Sequence, residues 1–371
     1  MSYIGSKPAD KVLTASDITD GIVTTAKIAD SSVTTEKIVA DTNFRNIIIN
    51  GDMSQSQRTT SASSLTGSGY HTIDRYRSSI SSIGTWTQSQ STDVPTGQGF
   101  ATSLKMDCTT ADASPAAGDA LQLQQRVEGQ NVQYLKKGTS SAESLTCSFW
   151  VKSNKTGTYI LEIDDNDNGR NINKSYTISS ADTWEKKTIT YDGDTTGAFG
   201  NDNGISLQLI FWLGAGSNFT SGTLATSWES TTNANRAVGQ VNLADSTSND
   251  WYVTGVQLEA GTSASDFEFL PYDVNLDRCH RYYFKHSLGD VGGYGKRAGI
   301  NTTFAILENS FYTAPMRAAA SMSSGTPTFE NCSNLTFNSF DGGKSYMCRV
   351  TSSSTSAYRA FDTIVEHNAE L

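Results

Sequence analysis

Apolar and polar residues alternate with a period of two along much of the chain, the pattern of strands that press one face into a core. Residues 145–151 read Leu-Thr-Cys-Ser-Phe-Trp-Val and put Leu145, Cys147, Phe149 and Val151 on one side. The same reading predicts strands over residues 70–76, 85–88, 103–108, 121–127, 159–163, 184–191, 205–213 and 251–258. Three β-branched residues, Ile47, Ile48 and Ile49, run into Asn50-Gly51 and predict a further strand ending in a tight turn. Turns rich in Gly, Asn, Asp and Ser separate these runs, and residues 131–137 carry the one helical signal beyond two turns. About ten short strands with polar loops indicate an all-β fold, a jelly-roll β-sandwich.

The pattern changes near residue 271. Val253, Val256 and Leu258 carry an apolar side as far as Gly261, whereas Phe267, Phe269 and Leu270 alternate less cleanly. Pro271 lacks a donor and biases Leu270 to an extended backbone, so regular pairing is expected to stop there. Beyond it, residues 278–284 read as a strand or the end of a short helix, and strands are expected over 304–307, 314–319, 326–330, 335–338, 346–350 and 357–366. The division expected is a jelly roll over residues 43–272 and a small C-terminal β-sandwich tip over 273–371.

Residues 1–42 are of another kind. A ten-residue unit starts at Asp10, Asp20 and Asp30 and opens again at Asp41, with Leu13, Val23, Val33 and Ile18, Ile28, Ile38 in register. Each copy has too few apolar residues to cover its own apolar side, but parallel chains would stack identical positions around one axis. A homo-oligomeric stalk is expected, as helical turns or as strands, with residues 1–9 as its anchor; a disordered Thr-rich linker is the alternative.

Three phrases carry a resemblance. Gly255-Val-Gln-Leu-Glu-Ala-Gly261, Phe267-Glu-Phe-Leu-Pro-Tyr272 and Leu276-Asp-Arg-Cys-His-Arg-Tyr-Tyr283 follow one another as at the junction in bacteriophage tail-fibre and receptor-binding proteins. There a carbohydrate-binding-module-like β-sandwich meets a small C-terminal β domain. Asn46-Ile-Ile-Ile-Asn-Gly-Asp-Met53 and Ser148-Phe-Trp-Val-Lys152 resemble the opening and a core strand of such jelly rolls, and Pro315-Met-Arg-Ala318 resembles the tip. The resemblance implies a trimeric fibre that adheres to a host surface.

Composition agrees with short strands: 36% of residues are hydrophobic, 18% are charged, and there are 31 glycines, which weaken helices. A net charge of −10 argues against nucleic acid and anionic membrane as partners. The start has no apolar leader region and no run reaches the length of a membrane span, so a soluble chain without a cleaved leader or membrane insertion is expected. Five scattered cysteines without a Cys-x-x-Cys pair read as reduced and buried, with a Cys332–Cys348 bridge as the alternative.

Candidate chemistry is sparse. Asp164-Asp-Asn-Asp-Asn-Gly169 matches the first half of a calcium loop through Asp164, Asn166 and Asn168, but Ser175 stands where the bidentate Glu belongs, and a solvated turn is the plainer reading. Ser54 and Gln55 likewise stand where the modules it resembles use a Glu for structural calcium. Four dispersed histidines form no metal cluster, no Gly-x-Ser-x-Gly occurs, and no carboxylate pair can be singled out, so neither a cofactor nor catalysis is expected. Glycan binding through aromatic rings remains. Trp150, Trp184 and Trp251 fit core positions, whereas Trp228 in a polar loop, Trp86, and Tyr294 in the tip are the contact candidates.

The expected protein is a homotrimeric virion fibre, joined to a tail or head protein through its N-terminus and binding a host-surface glycan or protein outside the cell. A structural virion protein and a host-polysaccharide depolymerase are the rivals; the latter would normally bring a β-helix, and no coil repeat of that size occurs.

Overall fold

A computed structural model describes residues 44–288, 291–293, 305–311, 315–326, 328–330, 332–340, 344–352, 358–361 and 363–371. The decapeptide stalk expected over residues 1–42 lies outside them, as does Tyr294.

The alternating pattern folds into β1 (Ser61–Leu65), β2 (Gly69–Tyr70), β3 (Arg77–Ser81), β4 (Thr85–Ser91), β5 (Ser103–Thr110), β6 (Ala120–Glu128) and β7 (Leu145–Ser153). It continues through β8 (Gly157–Asp165), β9 (Arg170–Ile178), β10 (Glu185–Tyr191), β11 (Ile205–Ala215), β12 (Glu229–Ser230) and β13 (Asp250–Ala260). They make a six-stranded sheet, β1-β4-β5-β13-β7-β10, and a seven-stranded sheet, β12-β9-β8-β11-β6-β3-β2. The chain is all-β, an antiparallel jelly-roll sandwich with its core between these sheets. Leu145, Cys147, Phe149 and Val151 of β7 face that core, where the Phe149 ring meets Phe211 of β11 edge-on at 5.1 Å. Cys108, Cys147 and Cys279 are buried free thiols.

The spacing of three between Val253 and Val256, where a flat strand would need two, is resolved by a bulge. The register of β13 on β7 shifts between Thr254 and Gln257. Gly255 takes a φ of +63° there, and a Cβ would come within 2.5 Å of the Phe100 ring. Both valines therefore reach the core.

Two expected strands are absent. Ile47, Ile48 and Ile49 are buried, but side chains hold their backbone: Ile49 N–H donates to Gln125 Oε1 at 2.7 Å while Gln125 Nε2 donates to Ile49 O at 2.9 Å. Residues 71–76 form a turn, with Arg75 at a φ of +74°, fixed by Asn50 Nδ2 donating to Asp74 O at 3.0 Å and to Gln55 O at 2.9 Å. Amide side chains that mimic a ladder defeat a reading based on strand propensity. The helical signal near residue 131 yields only the single 3-10 turns Gly129–Asn131 and Gln133–Leu135.

After the sandwich, Pro271 opens helix α1 (Tyr272–His280), and β14 (Tyr283–Leu288) follows, so the ambiguous segment 278–284 is helix end and then strand. The tip continues with β15 (Val291–Gly293), β16 (Ala305–Phe311), β17 (Ser321–Ser324), β18 (Thr328–Glu330), β19 (Cys332–Phe340), β20 (Ser345–Ser352), β21 (Tyr358–Phe361) and β22 (Thr363–Asn368). Among the described residues these form the sheets β14-β22-β17, β15-β21-β18 and β16-β20-β19. Of the strand expected over 314–319, the described part is irregular, and pairing begins at Ser321.

Charges bind this segment to the sandwich. The buried Glu128 carboxylate accepts from Arg281 Nε at 2.7 Å, Arg281 Nη2 at 2.6 Å and Tyr282 OH at 2.6 Å. Burial alone would raise the Glu128 pKa, but the hydrogen bonds from Arg281 and Tyr282 outweigh it and hold the carboxyl below its ordinary value. The Arg75 guanidinium lies 3.4 Å from the centre of the Tyr282 ring, donates to Arg126 O at 2.6 Å and pairs with Glu370. Leu371 O accepts from Tyr70 OH at 2.9 Å and Arg126 Nη1 at 2.7 Å.

Glu370→Ala leaves Arg75 buried without its counter-ion, and denaturant unfolding should report a loss of about 3 kcal/mol. Asp74, buried beside this network, has its pKa raised by burial from 3.8 to about 6. Its folded state holds the proton more tightly than the unfolded chain, so its share of stability is lost as pH rises from 3.8 to about 6 and is level above. Midpoints measured across that range should fall for the wild type relative to Asp74→Asn, and the two curves should run parallel above pH about 7.

Candidate functional site

Leu121, Leu123 and Val127 of β6, Tyr159, Leu161 and Ile163 of β8, and Leu207, Leu209 and Phe211 of β11 all point into the core. Gln122, Gln124 and Arg126 of β6, Ile160 and Glu162 of β8, and Gln208 and Ile210 of β11 alternate with them and point away from it, while Gln125 stays on the inner side, bonded to Ile49. Register aligns them. Arg77, Gln124, Ile210, Glu162 and Asn173 are successive partners across five strands. The adjacent row is Arg126, Gln208, Asp164 and Asn171, and on the other side Ser79 pairs with Gln122 and Gln122 with Trp212.

These outward groups are tied to one another. Gln124 Nε2 donates to Gln122 Oε1 at 2.5 Å, and Arg77 Nη1 donates to Gln124 Oε1 at 3.3 Å. Arg126 Nε donates to Gln208 Oε1 at 3.2 Å, and Gln208 Nε2 donates to Asp164 Oδ2 at 2.8 Å. Trp212 Nε1 and Arg236 Nε donate to the two oxygens of Glu162 at 2.6 and 2.8 Å. Burial raises the pKa of Glu162 and of Asp164, with the Arg236 charge opposing it in both. The relative exposures of Gln122, Gln124 and Gln208 are only 7%, 6% and 8%, so their rotamers are held by neighbours rather than by bulk water.

Both ends of the strip are bounded. Phe219 packs on Trp212 with ring centres 5.2 Å apart, and Leu371 is held at the other end by Tyr70 and Arg126. Between them Ile160, Ile210 and Trp212 are buried under Ala237, Phe219 and Leu224, and beside this cover lie the amides, guanidinium groups and carboxylate of Arg77, Gln122, Gln124, Arg126, Gln208 and Asp164 in fixed positions. Such groups donate to and accept from neighbouring hydroxyls at once, the chemistry a polyol requires.

The residues proposed from sequence fall elsewhere. Trp86 is fully buried, and its Nε1 donates to Ile83 O at 2.7 Å, so the ring is a core element without a face for a sugar. Trp228 is half-buried against the core; its Nε1 donates to Asp192 O at 2.7 Å, and the Lys137 ammonium lies 5.3 Å from its ring. Trp150 and Trp184, read as core, are half-buried on the outer face of the six-stranded sheet, where Trp184 Nε1 donates to Asp93 Oδ1 at 2.9 Å.

Asp164, Asn166 and Asn168 do not converge on a cation. Asp164 turns to Gln208, Asn166 Nδ2 donates to Ile205 O at 3.3 Å, and Asn168 Nδ2 donates to Asp165 Oδ2 at 2.9 Å. The oxygen cage at this hairpin is built around Lys137 instead. Its Nζ meets Asp165 Oδ2 at 2.5 Å, Asp194 Oδ2 at 3.0 Å, and the carbonyl oxygens of Thr196 and Gly197 at 2.8 Å each. Among the described residues no cluster of three His, Cys, Asp or Glu suits a metal.

No family model and no curated sequence matches the chain. Among solved structures, the enzymatically active domain of tailspike protein 4 of bacteriophage CBA120 is 15% identical at a TM-score of 0.31, covering 58% of this chain and 21% of that one. A putative sugar-binding protein of Bacteroides thetaiotaomicron is 12% identical at 0.30, covering 58% and 99%. A family 11 carbohydrate-binding module of Clostridium thermocellum is 11% identical at 0.27, covering 58% and 96%. The chain spans about a fifth of the tailspike domain's length, so the activity in that domain's name stays with that protein.

Lys137→Ala leaves the buried Asp165 without its counter-ion, although Asp194 keeps Arg170, and should cost about 3 kcal/mol in denaturant unfolding, whereas Asn166→Ala, in the exposed turn, should cost less than about 0.5 kcal/mol.

Proposed function

We propose that this chain is an attachment protein that holds a host-surface saccharide on the polar outer face of its seven-stranded sheet, as a binder and not as an enzyme. The observation that carries the reading is the alignment of Arg77–Gln124 and Arg126–Gln208–Asp164 in neighbouring rows, with their amides fixed by mutual hydrogen bonds. Groups held in place before binding lose little entropy when hydroxyls replace their waters.

The junction phrases that resemble phage fibre proteins support a setting on a virion, acting outside the cell. The decapeptide repeats support several copies per fibre, anchored through the N-terminus to a tail or head protein. Each site can then be weak, because copies on one particle make later contacts intramolecular.

The test is adsorption of the full-length chain to host-surface glycan. Gln124→Ala and Gln208→Ala should each weaken binding about tenfold, with melting temperature little changed, since each removes hydrogen bonds worth about 1–1.5 kcal/mol. Undiminished binding by the double variant would remove the sheet face as the site, and release of new reducing ends would replace adhesion with hydrolysis.

A further inference from the structure

A cavity of about 340 Å³ lies beside β6, at the low end of the range for ligand clefts. Phe44 and Tyr134 line it and are 60% and 49% exposed, although large rings are generally covered in this chain. Arg126, Arg278 and Arg281 also line it, and among the described residues no Asp or Glu does. That composition is opposite to that of the chain as a whole, where 38 acidic residues outnumber 28 basic ones.

The three guanidinium groups differ in what they have left to give. Arg281 is engaged by Glu128 through two nitrogens and by Pro315 O at 3.3 Å. Arg126 is engaged by Gln208 and Leu371. Arg278 makes a single hydrogen bond among the described residues, from Nη2 to Asn46 O at 3.3 Å. Glu268, the carboxylate whose charge favours Arg278, spends its oxygens on the backbone N–H groups of Phe44 and Asn46. Burial lowers the Arg278 pKa, as expected of a cation short of a partner.

We propose that this cleft is a second binding site, for a sugar that carries a carboxylate, with Arg278 as its anion contact and the exposed rings of Phe44 and Tyr134 against the sugar's C–H faces. An arginine fork matches a planar carboxylate with two parallel hydrogen bonds. Arg126 borders both sites, but Arg278, Phe44 and Tyr134 belong to this cleft alone and the ligand differs, so each proposal can stand or fall alone.

The test uses the full-length protein on an array of uronate- and sialate-bearing oligosaccharides, their neutral methyl esters, and matched sugar phosphates. Acidic sugars should bind better than their esters, with affinity falling as salt rises. Arg278→Gln should lose about tenfold or more and Phe44→Ala a smaller factor, both melting like the wild type, while Gln124→Ala leaves this binding intact. Equal binding of acid and ester, absence of binding to every acidic sugar, preference for the phosphate over the carboxylate, or wild-type affinity in both Arg278→Gln and Phe44→Ala would overturn the proposal.

Discussion

The two-residue period of β6, β8 and β11, kept in step by their register, is the constraint on which the rest of the structure depends. Leu121, Leu123, Leu161, Ile163, Leu209 and Phe211 enter the core only if Gln122, Gln124, Glu162, Asp164 and Gln208 leave it. A slip of one residue would drive those amides and carboxylates into an apolar layer at several kcal/mol apiece, by the usual cost of burying unpaired polar groups of about 2–7 kcal/mol. Core formation therefore builds the polar face at the same time. One pattern serves stability on the inside and the proposed recognition on the outside.

The junction limits how far that face extends. Glu128, at the end of β6, takes Arg281 and Tyr282, while Arg75 sits between the Tyr282 ring, Arg126 O and Glu370. Buried ion pairs of this kind stabilise little over apolar packing of the same shape, yet they are costly to break. Their consequence is positional. They hold the chain where α1 ends and fix where Leu371 lies, and so close one end of the polar strip and one wall of the arginine-lined cleft.

Much of the fold was legible in the sequence because strand alternation and Gly-rich turns are local signals. The face of β7 and the end of the paired run at Gly261 follow from them directly, whereas Pro271, the expected stop, opens α1 after ten residues outside any strand. The clasp of Gln125 on Ile49 and the Asn50 contacts do not, since they join residues far apart in sequence through side chains. The candidate site was half legible. Leu-Gln-Leu-Gln-Gln-Arg at residues 121–126 displays outward glutamines and an arginine, but what those groups meet depends on β3 and β11, which sequence spacing does not bring together. Seeking a stacking ring favoured Trp86 and Trp228, whose strand and loop patterns do not reveal that one fills the core and the other leans on a buried ammonium. The Asp-rich turn likewise hid that Lys137, a distant residue, supplies its cation.

A diffraction structure of the protein with its host-surface saccharide tests the central claim most directly. Ligand density is expected over Gln122, Gln124 and Gln208, with hydroxyls bonded to their amides. Neutral sugar found only on the outer face of the six-stranded sheet, beside Trp150 and Trp184, would contradict it.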